Sequence, residues 1–422
     1  MVANGQVVIL EKPVHPPGIY EQNRAKAGVM GIIGSMNGNQ CVLLTETLTR
    51  FPLSTASKFQ VADENVAYEF RRKAAQATYQ PHHNGSTGYT GSDPEIIVLG
   101  GDGHVLPAYS FLPHKNKATV VAQQCGSVNT SAAVPVFWDG FQAECVVPKQ
   151  SCHAYLMDYL RHGLYSVLVK AREKDPKAVL THQSVVEVPF ETMAEATKEQ
   201  QALGCAPSLN LYGIDPVHIA YPEQLPLRFA GCHIHFGVSE YPNVGALDEE
   251  SIKDCVRMID RVAGVISVAL LQGIEDTRRR EFYGRAGEYR IPKHGLEYRT
   301  LSSTILVHPA VAHLMFDLAR CACQCSRDGL SFIWDSSDDE TLATINNYDV
   351  EQALKIIKRN KKVVESIISC VYGSHKKAID MIKKGAKEHV DLDMMKNWMI
   401  PGGGWVAHSA SLGCTFATFK GK

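Results

Sequence analysis

No two cysteines in this chain of 422 residues are spaced as C-x-x-C, although twelve are scattered along it. A metal knuckle or redox pair of that spacing is therefore excluded, and the thiols read as buried and reduced. Even "CACQC" (321–325) falls in a helix-like stretch. Long apolar runs are lacking too. The longest, "AGVISVALLQGI" (263–274), is too short to span a bilayer, and the opening "MVANGQVVILEKP" has no basic-then-apolar signal layout. Neither charge sign is in excess: 43 basic residues face 44 acidic ones, for a formal net charge of −1. That argues against a broad surface for nucleic acid or membrane lipid, so any anion site must be assembled locally from a few arginines. There is no P-loop and no G-x-G-x-x-G, which removes the glycine-rich helix turn as the way of holding phosphate. There is also no internal repeat, heptad array or low-complexity tract. What these absences leave is a cytoplasmic globular protein with no membrane or nucleic-acid partner.

What is present is a mixture of helical and strand patterns. Residues 1–85 form an accessory segment. In it "VMGIIGSMNGNQCVLLTE" (29–46) reads as two strands around an Asn-Gly turn, followed by a helix over 57–78. The Gly/Ser/Thr-rich "PHHNGSTGYTGSD" (81–93) reads as a loop. Residues 86–340 form a core. Within it 94–108 and 133–148 are strand pairs, and 152–173 is a helix with Leu156, Leu160, Leu164, Val167 and Ala171 on one face. A short strand at 185–191 and a helix at 191–202 come next, then a strand at 228–238. A long helix over 248–272 carries Ile252, Val256, Ile259 and Ile266, and strands return at 287–304. The end of the core and residues 341–422 are helical at 308–327, 349–371 and 373–388, with a loop-like 400–416. Helices interspersed with antiparallel hairpins give an α+β fold, not a doubly wound sheet.

Side chains two apart on a strand share a face. Asp93 and Glu95, His233 and His235, and Glu297 and Arg299 all use that spacing, and "WDGFQAE" adds Asp139 and Glu144. Carboxylates and an imidazole converging on one sheet face are costly alone but suited to divalent cations. The run "RRREFYGRAGEYRIPKHGLEYR" (278–299) is dense in arginine. Guanidinium forks suit phosphate and carboxylate oxygens, so the pattern reads as a polyphosphate held between arginines and metal ions.

The order "DPE … DGFQAE … GCHIHFG … RR … YGRAGEYR … GLEYRTLSS" resembles the phage-type carboxylate–amine ligases (COOH–NH2 ligase type 2, amidoligases), in the superfamily of glutamine synthetase and glutamate–cysteine ligase. The likeness runs over about 93–305, with residues 1–85 and the C-terminal helices outside it. It implies a glutamine-synthetase-like antiparallel sheet with packed helices in the core, and ATP-dependent amide formation through an acyl phosphate. The implied cofactors are ATP and two or three Mg²⁺ or Mn²⁺ ions, held by Glu95, Glu144, His233, Glu297 and Asp93. The resemblance places His235, Arg285, Arg290, Lys293 and Arg299 at the nucleotide, with Arg290 and Arg299 also acting on the transferred phosphoryl group. Asp139 is the candidate base. "ALGCAPSLNLYG" (202–213) resembles a family stretch that puts Asn210 and Tyr212 in the substrate pocket, and Arg228 is placed with them. The partners implied are small-molecule or peptide carboxylates and amines, and a homo-oligomer is in keeping with the superfamily. If the protein is phage-encoded, its location is the host cytoplasm. The rival readings are a guanidino-kinase-like phosphotransferase and a non-catalytic nucleotide-binding phage protein of the same fold.

Overall fold

The computed structural model describes residues 7–12, 29–37, 40–45, 50–54, 56–63, 66–67, 70, 90–115, 119–120, 134–150, 153–202, 208–217, 219, 221–237, 248–293, 295–327, 331–371 and 375–399. The chain begins with a five-stranded antiparallel sheet: β1 (Val7–Leu10), β2 (Met30–Asn37), β3 (Gln40–Thr45), β4 (Arg50–Ser54) and β5 (Phe59–Val61), in the order β4-β3-β2-β1-β5. The expected helix over 57–78 is corrected at its start. Phe59–Val61 pairs with β1 instead, closing the sheet edge. Most of the rest of that stretch lies outside the described residues, as do 203–207, 400–416 and residues 81–89 of the expected 81–93 loop, whose last four residues, 90–93, are strand instead because they pair with His233–Phe236 and Val147–Gln150.

The central sheet follows. Its strands are β6 (Thr90–Leu99), β7 (Thr119–Val120), β8 (Pro135–Asp139), β9 (Gln142–Cys145) and β10 (Val147–Gln150). After helix α1 (His153–Lys174) come β11 (Val179–Thr181) and β12 (Val185–Glu187), then helices α2 (Phe190–Glu195) and α3 (Lys198–Gln201). Next are β13 (Leu209–Asn210), β14 (Leu227–Phe229) and β15 (Cys232–Gly237). Helices α4 (Glu249–Ile259), α5 (Val265–Leu270) and α6 (Arg279–Phe282) lead to β16 (Glu288–Arg290) and β17 (Gly295–Tyr298). The sheet runs β13-β16-β17-β15-β6-β9-β8-β7, with β10 and β11 also paired to β6, and its described strand pairs are antiparallel. The fold is α+β. Helices α7 (Pro309–Arg327), α8 (Asp338–Asn346), α9 (Val350–Arg359), α10 (Lys361–Val371), α11 (His375–Lys384) and α12 (Met394–Met399) complete it. Among the described residues no helix is long and apolar enough to cross a membrane.

Several expected elements are broken where local chemistry breaks them. The helix over 191–202 is two short ones: Ala196 is extended, and Thr197 caps α3 by accepting from the backbone N–H of Gln200. The strand over 228–238 is interrupted at Ala230–Gly231, so β14 leaves to pair with β12 while β15 stays in the central sheet. The returning strand after "GGDG" is a single bridge, Leu99 to Val105. The helix over 248–272 starts where Asp248 accepts from Ser251 N–H at 2.8 Å. It passes through one wide turn, Asp260–Gly264, before resuming as α5.

Alternation divides the central sheet. Ile96, Val98, Ala143, Cys145, Cys232, Ile234, Phe236, Leu296 and Tyr298 point one way into a core shared with α1, α4 and α7, and all are buried. The expected apolar stripes of α1 and α4 lie in that same core: Leu156, Leu160, Leu164, Val167 and Ala171, with Ile252, Val256 and Ile259. Burying each large side chain contributes about 1.5–3 kcal/mol. The opposite face carries the charged residues.

Candidate active site

Register puts the chemistry on that opposite face. In antiparallel pairs, residues directly opposite share a side of the sheet. Arg290 lies opposite Glu297, and Glu297 opposite His235. His233 lies opposite Asp93, and Glu95 opposite Glu144. Asp139 closes β8, two positions beyond Phe137, which faces Glu144. Asp93, Glu95, Asp139, Glu144 and Glu297 thus share one face with two histidines and two arginines, although they come from positions far apart in the chain.

At the centre, Asp93 Oδ1 lies 2.8 Å from His235 Nε2 and 3.2 Å from His233 Nδ1. Glu297 Oε1 lies 3.6 Å from His233 Nδ1, 3.1 Å from Arg299 Nε and 3.6 Å from Arg290. Burial works against the charge of Asp93, but the facing imidazoles of His233 and His235 hold its carboxyl well below the usual range. Burial likewise works against the His235 imidazolium, and the adjoining Asp93 carboxylate raises it nonetheless.

On the far side, Glu144 is pushed well above the carboxylate range by burial and then by Asp93, Asp139 and Glu95, with Lys115 opposing. Burial, with Glu95 next, pushes Asp139 up to about 6. Lys115, mostly exposed, has its ammonium 3.7 Å from Glu144 and 4.9 Å from the centre of the Phe137 ring. Glu95 Oε2 accepts from the Gly231 N–H at 2.5 Å.

A divalent cation fits this face. Asp93, His235 and Glu297 offer ligand atoms all within 4.8 Å of one another, the one such group among the described residues. Asp93 Oδ1 and Glu297 Oε1 are buried and accept no hydrogen bond, because the nearby nitrogens are close enough for charge but not aligned. Like charges directly across a strand pair, as Glu95 and Glu144 are, destabilise unless a cation lies between them. Carboxylate oxygens with an imidazole suit Mg²⁺ or, better, Mn²⁺.

The other expected site residues divide. Arg299 is fully buried, donating to Ser208 Oγ at 2.9 Å and to the Tyr283 hydroxyl at 3.1 Å. His235, expected at a phosphate, stands with Asp93 and Glu297 in the group whose atoms could hold a cation. Arg228, expected at the substrate, is fully buried and donates to the carbonyls of Leu225, Leu227 and Gln201 at 2.8–2.9 Å, which fastens backbone. Asn210 is likewise engaged, donating to Ala286 O and accepting from Tyr212 N–H. Tyr212 packs against the helix-side core, where burial and then Asp260 raise its hydroxyl. Arg285 donates to the backbone carbonyls of Asp215 and Glu281, and Lys293 is exposed.

The arginine run does not line one groove. Arg278 pairs outward with Asp276 and Glu187. Arg279 is buried and donates to Thr300 O and Leu301 O, and Arg280 donates to Gly284 O. Sequence reasoning missed Lys115 and Tyr283. Lys115 sits in a short helical turn without periodic signal. Tyr283, on the site side of α6, contacts both His233 and Arg299.

Carboxylates and imidazoles beside Arg290 and the buried Arg299, laid on one face of an antiparallel sheet, offer donors for a metal and a polyanion side by side. Residues 225–400 match the family model described as Phage phiEco32-like COOH.NH2 ligase-type 2. Over that segment the chain is similar to the ligase family its motifs resemble. The match takes in His233, His235, Arg290, Glu297 and Arg299. It reaches to residue 400, so it includes C-terminal helices that the motif-based likeness left outside. Asp93, Glu95, Asp139 and Glu144 lie before it and join through sheet pairing. No curated protein matches the chain. A solved structure, a bifunctional glutathione synthetase from Pasteurella multocida, aligns at 12% identity and a TM-score of 0.35. The alignment covers 83% of this chain and 52% of that one, so this chain spans about half that structure's length.

Proposed function

We propose that the chain is an ATP-dependent carboxylate–amine ligase. A substrate carboxylate oxygen attacks the γ-phosphorus of ATP, ADP leaves, and an acyl phosphate forms. The amine nitrogen then attacks the acyl carbon, phosphate leaves, and the amine proton passes to a base. The observation that carries this reading is the single sheet face on which Asp93, Glu95, Glu144 and Glu297 gather with two histidines and two arginines.

The first step brings together two anions, a carboxylate and a triphosphate, whose repulsion must be screened in a site closed to water. Bound at this face, a divalent cation would neutralise phosphate oxygens and orient them toward the attacking carboxylate. Asp93, His233, His235 and Glu297 would hold one such ion, and Glu95 with Glu144 a second. Arg290 and Arg299 would meet the phosphoryl oxygens, with Glu297 fixing both guanidinium groups. Asp139 is the candidate base, because a carboxyl raised to about 6 is poised to take a proton near neutral pH.

The test is a mass-spectrometric screen of carboxylate and amine pairs with ATP and Mg²⁺. The expected result is an amide product with ADP and free phosphate in equal amounts, and only when both co-substrates are present. Phosphate retained on a guanidine acceptor would make the protein a kinase. Absence of metal-dependent nucleotide binding by calorimetry would make it a non-catalytic binder.

A further inference from the structure

Tyr283 stands where α6 ends. Its hydroxyl meets His233 Nε2, and the two rings pack edge to face with centroids 5.8 Å apart. The same hydroxyl accepts from Arg299 at 3.1 Å. The ring is held from beneath by the Arg279 guanidinium, 4.4 Å from its centroid, and that guanidinium is itself fastened to Thr300 O and Leu301 O. Two glycines make room. Gly284 has φ +71, and a Cβ there would collide with Arg279 Nη1. A Cβ at Gly231 would come within 2.8 Å of His233 Nε2 and 2.9 Å of the Tyr283 hydroxyl. The contact between His233 and Tyr283 is thus built from both sides.

We infer that Tyr283 is a positioning residue that holds His233 Nε2 so that Nδ1 is presented to the space between Asp93 and Glu297. The inference rests on the proposed cation site. Nδ1 lies 3.2 Å from Asp93 Oδ1 and 3.6 Å from Glu297 Oε1, on the same oxygens that accept no hydrogen bond. An imidazole that ligates through Nδ1 carries its hydrogen on Nε2 and needs an acceptor there. The Tyr283 oxygen has two lone pairs, one for that hydrogen and one for Arg299. Tyr283 therefore ties the orientation of a cation ligand to the guanidinium placed at the phosphoryl group. It does so without touching either the cation or the substrate.

The test uses the full chain with Mn²⁺ alone, without nucleotide or substrates. Binding is followed by electron paramagnetic resonance titration, and pulsed measurements read the nitrogen coupling of bound Mn²⁺. Tyr283→Phe should weaken Mn²⁺ binding by about ten- to a hundredfold and reduce the nitrogen coupling, with an unchanged urea midpoint. Gly231→Ala, which crowds the same contact while leaving the tyrosine, should weaken binding in the same direction and serves if the first variant does not fold. Mn²⁺ affinity within about twofold of the parent and an unchanged nitrogen coupling in a folded variant would overturn the inference. So would a parent protein that binds no Mn²⁺. Because no turnover is measured, failure of the ligase screen and failure of this assignment are separate results.

Discussion

On β15, Cys232, Ile234 and Phe236 point into the helix-side core and are buried, while His233 and His235 point at carboxylates of β6 and β17. On β6 the split repeats, with Ile96 and Val98 on the apolar side and Asp93 and Glu95 on the other. The apolar side is stabilised by burial, each large side chain adding about 1.5–3 kcal/mol. The charged side works against the fold: Glu144 and Asp139 are both held above the usual carboxylate range, by burial first and by other carboxylates next. Labour is therefore divided within single strands. Alternate residues anchor the sheet so that their neighbours can hold a crowd of carboxylates that is unfavourable on its own.

Breaking each face separately should show this. Glu144→Ala should reduce metal-dependent ATP turnover by on the order of a thousandfold, the scale of losing one essential electrostatic contact. Its urea midpoint should stay level or rise, because a buried carboxyl crowded by other carboxylates is removed. Full turnover in that variant would take Glu144 out of the cation site. Ile234→Ala, between the two histidines, should do the reverse. It should lower unfolding free energy by about 2–5 kcal/mol through lost burial and the cavity left behind, with turnover per folded molecule nearly unchanged. A large kcat loss without destabilisation would mean the two faces are not independent.

Arg299→Lys probes the boundary between the faces, since Arg299 is buried like a core residue yet belongs to the charged side. Its fork reaches Glu297, Ser208 and Tyr283 together, and a single ammonium cannot replace all three contacts. A kcat reduced by roughly a hundredfold in a protein that still folds is the expected outcome. Near-normal kinetics would make Arg299 part of the scaffold.

The alternation was legible in the sequence because a period of two is intrinsic to a strand. Asp93/Glu95, His233/His235 and Glu297/Arg299 needed nothing beyond their spacing. Register was not legible: that Glu95 faces Glu144 and His233 faces Asp93 depends on which strands pair, and that is settled between segments distant in the chain. The hydrogen bonds that engage Arg228 and Asn210 were not legible for another reason. A polar residue type does not reveal whether nearby backbone will use its hydrogen bonds, and in Arg228 four carbonyls do. The interruption at Ala230–Gly231 and the strand at Phe59–Val61 depend on pairing with β12 and β1. Tyr283 ends a four-residue helix, too short for any periodic signal, and its position is set by Arg279 and by the left-handed Gly284.

The smallest effect isolates the energetic burden of the charged face at one residue. Asp139 is raised to about 6 in the folded protein, by burial first and Glu95 second, whereas an unfolded aspartate titrates at about 4. Below about pH 4 it is protonated in both states and contributes no pH dependence. Between about pH 4 and 6 the folded state holds a proton that the unfolded state has released, so stability falls as pH rises, and above about 6 the loss is complete. A tenfold difference in proton affinity between the two states corresponds to about 1.4 kcal/mol, so with partial solvent screening the total is roughly 2 kcal/mol. Asp139→Asn removes this dependence. In urea unfolding with EDTA present, its stability advantage over the parent should be larger at about pH 7.5 than at about pH 4.5 by about two-thirds of that amount. An advantage that stays constant or shrinks as pH rises would show that Asp139 does not share the burden carried by Glu144. The unfavourable charge would then be confined to the strands that face the histidines.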